Sequence, residues 1–83
     1  MATLLKADGT EVSNVKIKTL AQQQLLVGGY IEYVPIPSSP QRTLIVHEEG
    51  FLADNPELNE TATMLAEKII VGDVILVTND EID

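Results

Sequence analysis

The chain has 83 residues, and its 13 acidic side chains against 5 basic ones give it a net charge of −8. Its length suits a single small domain over residues 1–83, and a hydrophobic content of 45% is too high for a disordered acidic tail. The charge disfavours nucleic acid and anionic membranes as partners, because both are bound through clustered Lys and Arg. The absence of cysteine excludes disulfide bonds, thiolate nucleophiles and Cys-ligated metals.

The beginning of the chain predicts a β-hairpin followed by a short helix. Residues 2–6 and 11–18 have strand character, and the Asp8-Gly9 pair between them predicts a tight turn, because glycine accepts a positive φ. Thr19 is a suitable N-cap for a helix that ends at Gly28-Gly29. On that helix Leu20, Gln24 and Val27 are expected to lie on one face.

Two further strands and a second helix are predicted downstream. Residues 30–36 and 42–48 are rich in β-branched and aromatic side chains, and a loop rich in proline and serine separates them. Residues 51–58 are irregular, and Asn59 begins a short helix. The apolar run 69–78 predicts either one bent strand or two segments that meet at a turn at Gly72, and residues 79–83 are expected to fray.

This order of elements predicts an α+β fold with a sheet of about five strands, mostly antiparallel, and two short helices packed on one side of it. The first residues lack the basic and apolar regions of a signal peptide, and no apolar run is long enough to span a bilayer. We therefore expect a single cytoplasmic domain that makes no contact with a membrane.

Three sequence blocks resemble a family of small proteins of unknown function from bacteriophages, plasmids and related bacterial genomes. The blocks are Val-Gly-Gly-Tyr-Ile-Glu-x-Val (27–34), Leu-Ile-Val-x-Glu-Glu-Gly (44–50), and Asn-x-x-Ala-Thr-x-Leu (59–65) followed by Ile-Val-Gly-Asp-Val (70–74). In the third block Glu60 stands where the family usually has proline. The resemblance implies a small α+β domain in a mobile-element setting, in the host cytoplasm if a phage encodes it, and it implies no established reaction.

The residue inventory argues against an enzyme. His47 is the single histidine of the chain, and no nucleophile elbow, phosphate-binding loop or zinc-protease motif is present. His47, Glu48 and Glu49 could ligate a divalent metal for a hydrolase, but neighbouring side chains of a strand point to opposite faces, so a solvated turn is the favoured interpretation. We expect no catalytic residue, no metal and no cofactor.

Five residues are candidates for ligand binding. Tyr30 and Glu32 share one strand face, where the ring could stack on a base and the carboxylate accept a hydrogen bond from a base edge or a ribose hydroxyl. Arg42 could hold a phosphate through two parallel hydrogen bonds. Asn59 and Thr63 open the second helix, where capping is the favoured interpretation over contact with a ligand.

The charge is divided unevenly along the chain. Residues 1–43 have three acids and four bases, a net charge of +1, whereas residues 44–83 have ten acids and one base, a net charge of −9. This division predicts two faces of different charge. A ligand with a phosphate group is therefore expected near Lys16, Lys18 or Arg42, and a basic protein partner is expected on the acidic half.

Together these features favour a non-catalytic binding module that sequesters a small nucleotide-like ligand and so acts against a host defence or regulatory pathway. Because the domain is small, the pocket is expected between the subunits of a homo-oligomer. The alternatives are an acidic inhibitor of a host protein, which could mimic DNA, and a structural homo-oligomer. Direct binding of nucleic acid is not expected.

Overall fold

The computed structural model describes residues 2–50 and 56–81. The strands are β1 (Thr3–Leu5), β2 (Glu11–Ser13), β3 (Ile31–Pro35), β4 (Arg42–His47) and β5 (Val74–Thr78). The helices are α1 (Leu20–Val27) and α2 (Glu60–Ala66), and a 3₁₀ turn (Asn79–Glu81) follows β5. The predicted α+β class and the five-stranded antiparallel sheet are confirmed.

The strands lie in the order β2-β1-β5-β4-β3, so the last strand in sequence occupies the middle of the sheet. Ile75 of β5 is aligned with Leu4 of β1 on one side and with Ile45 of β4 on the other. Two hairpins, β1–β2 and β3–β4, thus flank β5, and β2 and β3 form the edges of the sheet.

The two helices cover opposite faces of the sheet, so the predicted packing of both on one side is wrong. Side chains alternate along β5, and Val74 packs in the same cluster as Ala62 and Ala66 of α2. Ile75, the next residue, packs in a separate cluster with Val27 of α1. The physical reason is that the central strands are apolar on both faces, and each face needs its own cover. We call these two sides the α1 face and the α2 face.

Helix α1 begins and ends where the sequence predicts. Thr19 and Gln22 form a capping box, and Gly28 closes the helix with a left-handed φ of 94°. The buried positions are Gln23 and Val27, whereas Leu20 is 57% exposed. The amide of Gln23 donates to the carbonyl of Ile17 at 2.9 Å, so the helix is held to the preceding segment by a buried polar contact.

The last strand begins after a turn and ends in an anchored segment. Gly72 has a φ of 78° and forms a turn between β5 and the isolated bridge of Val71 with Leu58. Of the two predicted alternatives, the apolar run 69–78 therefore forms two segments that meet at a turn and not one bent strand. Asn79, where fraying was expected to begin, donates from its backbone to the carbonyl of Gln41 at 2.7 Å. The predicted frayed tail is therefore wrong for this residue, which is tied to the loop before β4; residues 82–83 lie outside the described residues.

Candidate functional site

Tyr30 and Glu32 lie at the β3 edge of the sheet. Val34, two residues beyond Glu32 on the same strand face, packs in the cluster of the α2 face, so Glu32 is on that face as well. Both predicted residues are exposed, and the ring of Tyr30 is 67% accessible. The carbonyl of Tyr30 accepts a hydrogen bond from the backbone of Glu48 at 2.8 Å, which brings the start of β3 next to the end of β4.

Arg42 does not join this pair. Glu32 is aligned with Val46, and Arg42 lies four residues earlier on β4, a separation of about 13 Å along the strand. The Nε of Arg42 donates to the hydroxyl of Ser39 at 2.9 Å. The guanidinium is thus engaged with the loop that links β3 and β4, at the opposite end of this hairpin from Tyr30.

Asn59 is a buried structural cap. Its side chain is 1% exposed, and its oxygen accepts from the backbone N–H of Ala62 at 3.0 Å. Its amide donates to the carbonyls of Leu5 and Gly72, each at 2.9 Å. These hydrogen bonds join the start of α2 to the end of β1 and to the turn before β5, which supports the capping interpretation of this residue.

Thr63 is occupied in a similar way. Its hydroxyl accepts from the backbone N–H of Ile70 at 2.9 Å and donates to the carbonyl of the same residue at 3.1 Å. The five predicted residues therefore lie in separate places, with Tyr30 and Glu32 close together, Arg42 distant, and Asn59 and Thr63 engaged by the backbone. Their part in binding a ligand stays a prediction.

His47 packs against the end of helix α1. A Cβ atom on Gly29 would overlap Nε2 of His47, so a larger residue at this position would displace the ring. The Nδ1 atom of His47 accepts a hydrogen bond from the backbone N–H of Glu49 at 3.0 Å. Among residues 2–50 and 56–81, no group of three His, Asp or Glu side chains is placed to hold a metal ion.

The three sequence blocks that carry the family resemblance meet in the same region. The contact between Gly29 and His47 joins the first block to the second. A Cβ atom on Gly50 would lie 2.9 Å from a methyl group of Val71, and this contact joins the second block to the third. Gly29 and Gly50 thus allow close packing, which explains these two glycines without a ligand.

Four clefts are open on the described surface, and they differ in charge. The first, which we call the lysine groove, has a volume of about 500 Å³ and is lined by Val15, Lys16, Ile17, Lys18 and Gln22. The second, which we call the acid-rimmed cleft, has a volume of about 80 Å³ and is lined by Glu32, Val34, Val46, His47, Glu48, Lys68, Ile69, Ile70 and Val71. The other two contain acidic side chains in their linings, Glu57 and Asp73 in one and Asp8 and Glu60 in the other.

The lysine groove lies where the segment after β2 meets helix α1. The backbone of Val15 donates to the carbonyl of Ala2 at 3.1 Å, and Ile17 is buried in the cluster of the α1 face. Lys16 and Lys18 are exposed on either side of Ile17. Since alternate side chains of an extended segment point in opposite directions, the two lysines share the outer side of this segment, away from Ile17.

Gln22 supplies a further polar group at this groove. Its side-chain oxygen accepts from the backbone N–H of Thr19 at 3.3 Å in the capping box. Its side-chain NH₂ group makes no hydrogen bond with the described residues, which leaves two donors available to a ligand. The groove therefore offers two ammonium groups and one amide beside an apolar surface.

A larger cleft beside His47 is unsuited to an anion. It has a volume of about 350 Å³, and Glu57 and Asp73 contribute carboxylates to its lining. The Oδ1 atom of Asp73 accepts from the backbone N–H of Ala7 at 3.0 Å, so this carboxylate also fixes the end of β1. A phosphate group here would meet negative charge on the lining.

The sequence identifies some of these residues and misses others. Lys16 and Lys18 are predicted as anion contacts from the charge of the first half of the chain. Gln22 is missed, although the Thr-x-x-Gln spacing of a capping box places it beside the residues before the helix. Lys68 and Ile69 are also missed, because only the folded chain brings them opposite Glu32.

The described helices are short, and neither has the length and apolar character needed to cross a membrane. No curated protein and no solved structure matches the chain. One family model matches it over residues 1–83. The chain therefore belongs to the family described as Domain of unknown function (DUF3846).

Proposed function

We propose that this protein is a non-catalytic binding module that captures a small nucleotide-like anion in the lysine groove. The observation that carries the proposal is the lining of that groove. It contains Lys16 and Lys18 and no acid, whereas each of the other three clefts has at least two acidic side chains in its lining. A phosphate group is therefore best accommodated in the lysine groove.

The size and chemistry of the groove suit such a ligand. Its volume of about 500 Å³ is within the range of small-molecule sites. The ammonium groups of Lys16 and Lys18 and the amide of Gln22 are donors for phosphate oxygens, and the half-buried side chain of Val15 can lie against a base or a ribose. Tyr30 and Glu32, which we predicted as ligand contacts, are not part of this groove.

The overall charge of −8 opposes binding of an anion in the groove only weakly, because most of the acidic side chains are too far away. At physiological ionic strength, charges more than about 8 Å apart are largely screened from one another. The local charge of +2 on the lining is then more important to a bound phosphate than the total charge of the chain.

The same lining supports a non-catalytic role. Its side chains are two lysines, two apolar residues and one glutamine, with no carboxylate, imidazole or hydroxyl to act as a general base or nucleophile. A captured ligand should therefore be released unchanged. In the mobile-element setting that the resemblance implies, such capture would remove a nucleotide signal from a host defence or regulatory pathway.

A second copy of the chain would complete the site. The groove is open to solvent, and a chain of 83 residues has little surface with which to enclose a ligand alone. We propose that a homo-oligomer places a second subunit over the groove, as predicted from the size of the domain. Sedimentation of the protein with and without ligand measures this association.

The experiment is a calorimetric titration with a panel of mono- and dinucleotides, followed by heat release and chromatography of the bound ligand. We expect binding that Lys16→Gln and Lys18→Gln each weaken by about tenfold. Lys6→Gln is the matched control. It removes the same charge at the end of β1, whereas the groove lies near the start of that strand, and it should change the affinity by less than about twofold. An equal loss in all three variants, a chemically altered ligand, or no binding of any nucleotide would each contradict the proposal.

A further inference from the structure

We infer that the acid-rimmed cleft on the α2 face receives an arginine side chain from a basic segment of a partner protein. This site is separate from the lysine groove and takes a ligand of opposite charge.

The floor of the cleft is apolar and narrow. Val34 and Val46 come from neighbouring strands, Ile70 and Val71 come from the segment before β5, and all four are at most 9% exposed. The cleft volume of about 80 Å³ corresponds to one side chain, whereas sites for whole small molecules are several times larger. A methylene stem fits such a floor, because long basic side chains bury their stems and keep the charged head in water.

The rim carries two carboxylates that have no partner among the described residues. Glu32 and Glu48 are both exposed, and neither makes a hydrogen bond or ion pair through its side chain in the described part of the chain. Lys68 is the one lysine or arginine on the lining, which also includes His47. Two carboxylates against one ammonium leave the rim net negative, and hydrogen bonds to an ionised carboxylate are among the stronger ones in proteins.

Two large side chains lie exposed beside this rim. Ile69 is part of the cleft and is 62% exposed, and Tyr30, whose carbonyl is bonded to the backbone of Glu48, is 67% exposed. Exposed aromatic and aliphatic side chains around a small pocket are typical of the centres of protein interfaces. The face of Tyr30 also offers a surface on which a guanidinium can stack.

The negative charge around the acid-rimmed cleft indicates that its occupant belongs to a basic segment of a protein. The outward positions Glu57, Glu60 and Glu67 surround α2 with further exposed carboxylates. This field repels nucleic acid and attracts a positively charged segment. Arginine suits the cleft better than lysine, because its planar fork can reach two carboxylate oxygens while its plane stacks on an aromatic ring.

The experiment uses a nonapeptide with one central arginine flanked by leucines, titrated into the ¹⁵N-labelled protein. A second peptide has citrulline in place of arginine, which keeps the shape and removes the charge. We expect the arginine peptide to shift the amide signals of Glu32, Val46 and Ile69, and the citrulline peptide to leave them in place. Equal shifts from both peptides, or shifts confined to other parts of the protein, would overturn the inference.

Charge variants then separate this cleft from general attraction to an acidic protein. Glu32→Gln should weaken binding of the arginine peptide by about fivefold, and Glu48→Gln should act in the same direction. Lys68→Gln should strengthen it. Glu11→Gln is the matched control, since Glu11 is exposed on β2 at the opposite edge of the sheet, and it should have an effect of less than about twofold.

A loss of binding that is as large in Glu11→Gln as in Glu32→Gln would show attraction to net charge alone and would reject the site. Glu32 and Glu48 are exposed, so neither substitution removes a buried contact. Substitutions at Lys16 and Lys18 should leave peptide binding unchanged. Failure of nucleotide capture and failure of peptide binding are therefore distinguishable.

Discussion

The two faces of the sheet differ in charge although each is covered by one short helix. Helix α1 contains no charged residue, and two exposed lysines lie beside its N-terminus. Helix α2 begins with Glu60 and is capped at its end by Glu67, and the cleft on its side of the sheet has Glu32 and Glu48 on its rim. A single net charge of −8 therefore describes neither surface. The two proposed ligands, a small anion and a basic protein segment, are matched to this difference.

The two helices also differ in how they are held. Thr19 caps α1 through a local and exposed capping box. Asn59 caps α2 from a buried position and also binds the carbonyls of Leu5 and Gly72. The α1 cap is thus a local contact, whereas the α2 cap also joins distant parts of the sheet.

The largest expected loss of stability comes from removing the buried cap of α2. Asn59→Ala removes one cap and leaves two carbonyls without their donor, so we expect the free energy of unfolding to fall by about 3 kcal/mol or more. Thr19→Ala removes only an exposed cap and should cost about 1 kcal/mol. Urea unfolding followed by circular dichroism measures both. Equal losses would show that the buried amide contributes no more than an ordinary cap.

A smaller effect is expected where the end of α1 contacts β4. Gly29→Ala places a Cβ atom against the ring of His47, and we expect a loss of about 2 kcal/mol from overpacking. The double variant with His47→Ala should recover most of this loss, because the obstructing ring is absent. The measurement is a double-mutant cycle of thermal unfolding. An undiminished penalty in the His47→Ala background would assign the cost to the backbone of Gly29 instead.

The C-terminal caps of the two helices allow a direct comparison between glycine and a larger residue in the same backbone conformation. Both C-caps are left-handed, with φ of 94° at Gly28 and 58° at Glu67. Glycine adopts this conformation without the steric cost of a side chain, so Gly28→Ala should destabilise the protein by about 1 kcal/mol and Glu67→Gly should stabilise it by a similar amount. Asn14 is the comparison position, since it also has a positive φ, of 59°. Asparagine tolerates this region, and Asn14→Gly should therefore gain less than Glu67→Gly in the same unfolding assay.

The smallest effect concerns the turn of the first hairpin, which lies under neither helix. The backbone N–H of Thr10 donates to Asp8 at 2.9 Å and lowers the pKa of this carboxyl. Stabilisation from this contact is thus present above the ordinary pKa of about 4 and is lost as the pH falls through the lower value of the folded protein. A ¹³C titration of Asp8 should give a pKa below that of an aspartate in an unfolded peptide. A value at or above that reference would contradict the contact.

The elements were predictable because their signals are local. Thr19, Gly28 and Asn59 are caps, and Gly9 accepts a φ of 95° in the predicted turn. The two-sided cover of the sheet was also signalled, since three consecutive apolar residues of β4, from Leu44 to Val46, cannot all point to one face. The prediction of both helices on one side is typical of antiparallel sheets with one solvated face, and the apolar centre of β4 does not fit that pattern.

The candidate sites were less predictable, because they depend on contacts between distant residues. Alternation along β3 placed Glu32 and Tyr30 together, and the uneven charge identified Lys16 and Lys18. Lys68 and Ile69 lie opposite Glu32 because of the order of the strands and the position of α2. No local sequence pattern predicts this contact. The hydrogen bonds between the hydroxyl of Thr63 and the backbone of Ile70 could not be predicted from the sequence for the same reason.

The central position of β5 affects the order in which the chain can fold during synthesis. Until Val74–Thr78 has left the ribosome, the nascent chain holds two separate hairpins, and a lone hairpin is marginally stable in water. During that interval β1 and β4 each present an unpaired edge, which is a template for association with other chains. A chain that ends before Val74 therefore keeps both edges exposed and should be prone to aggregation.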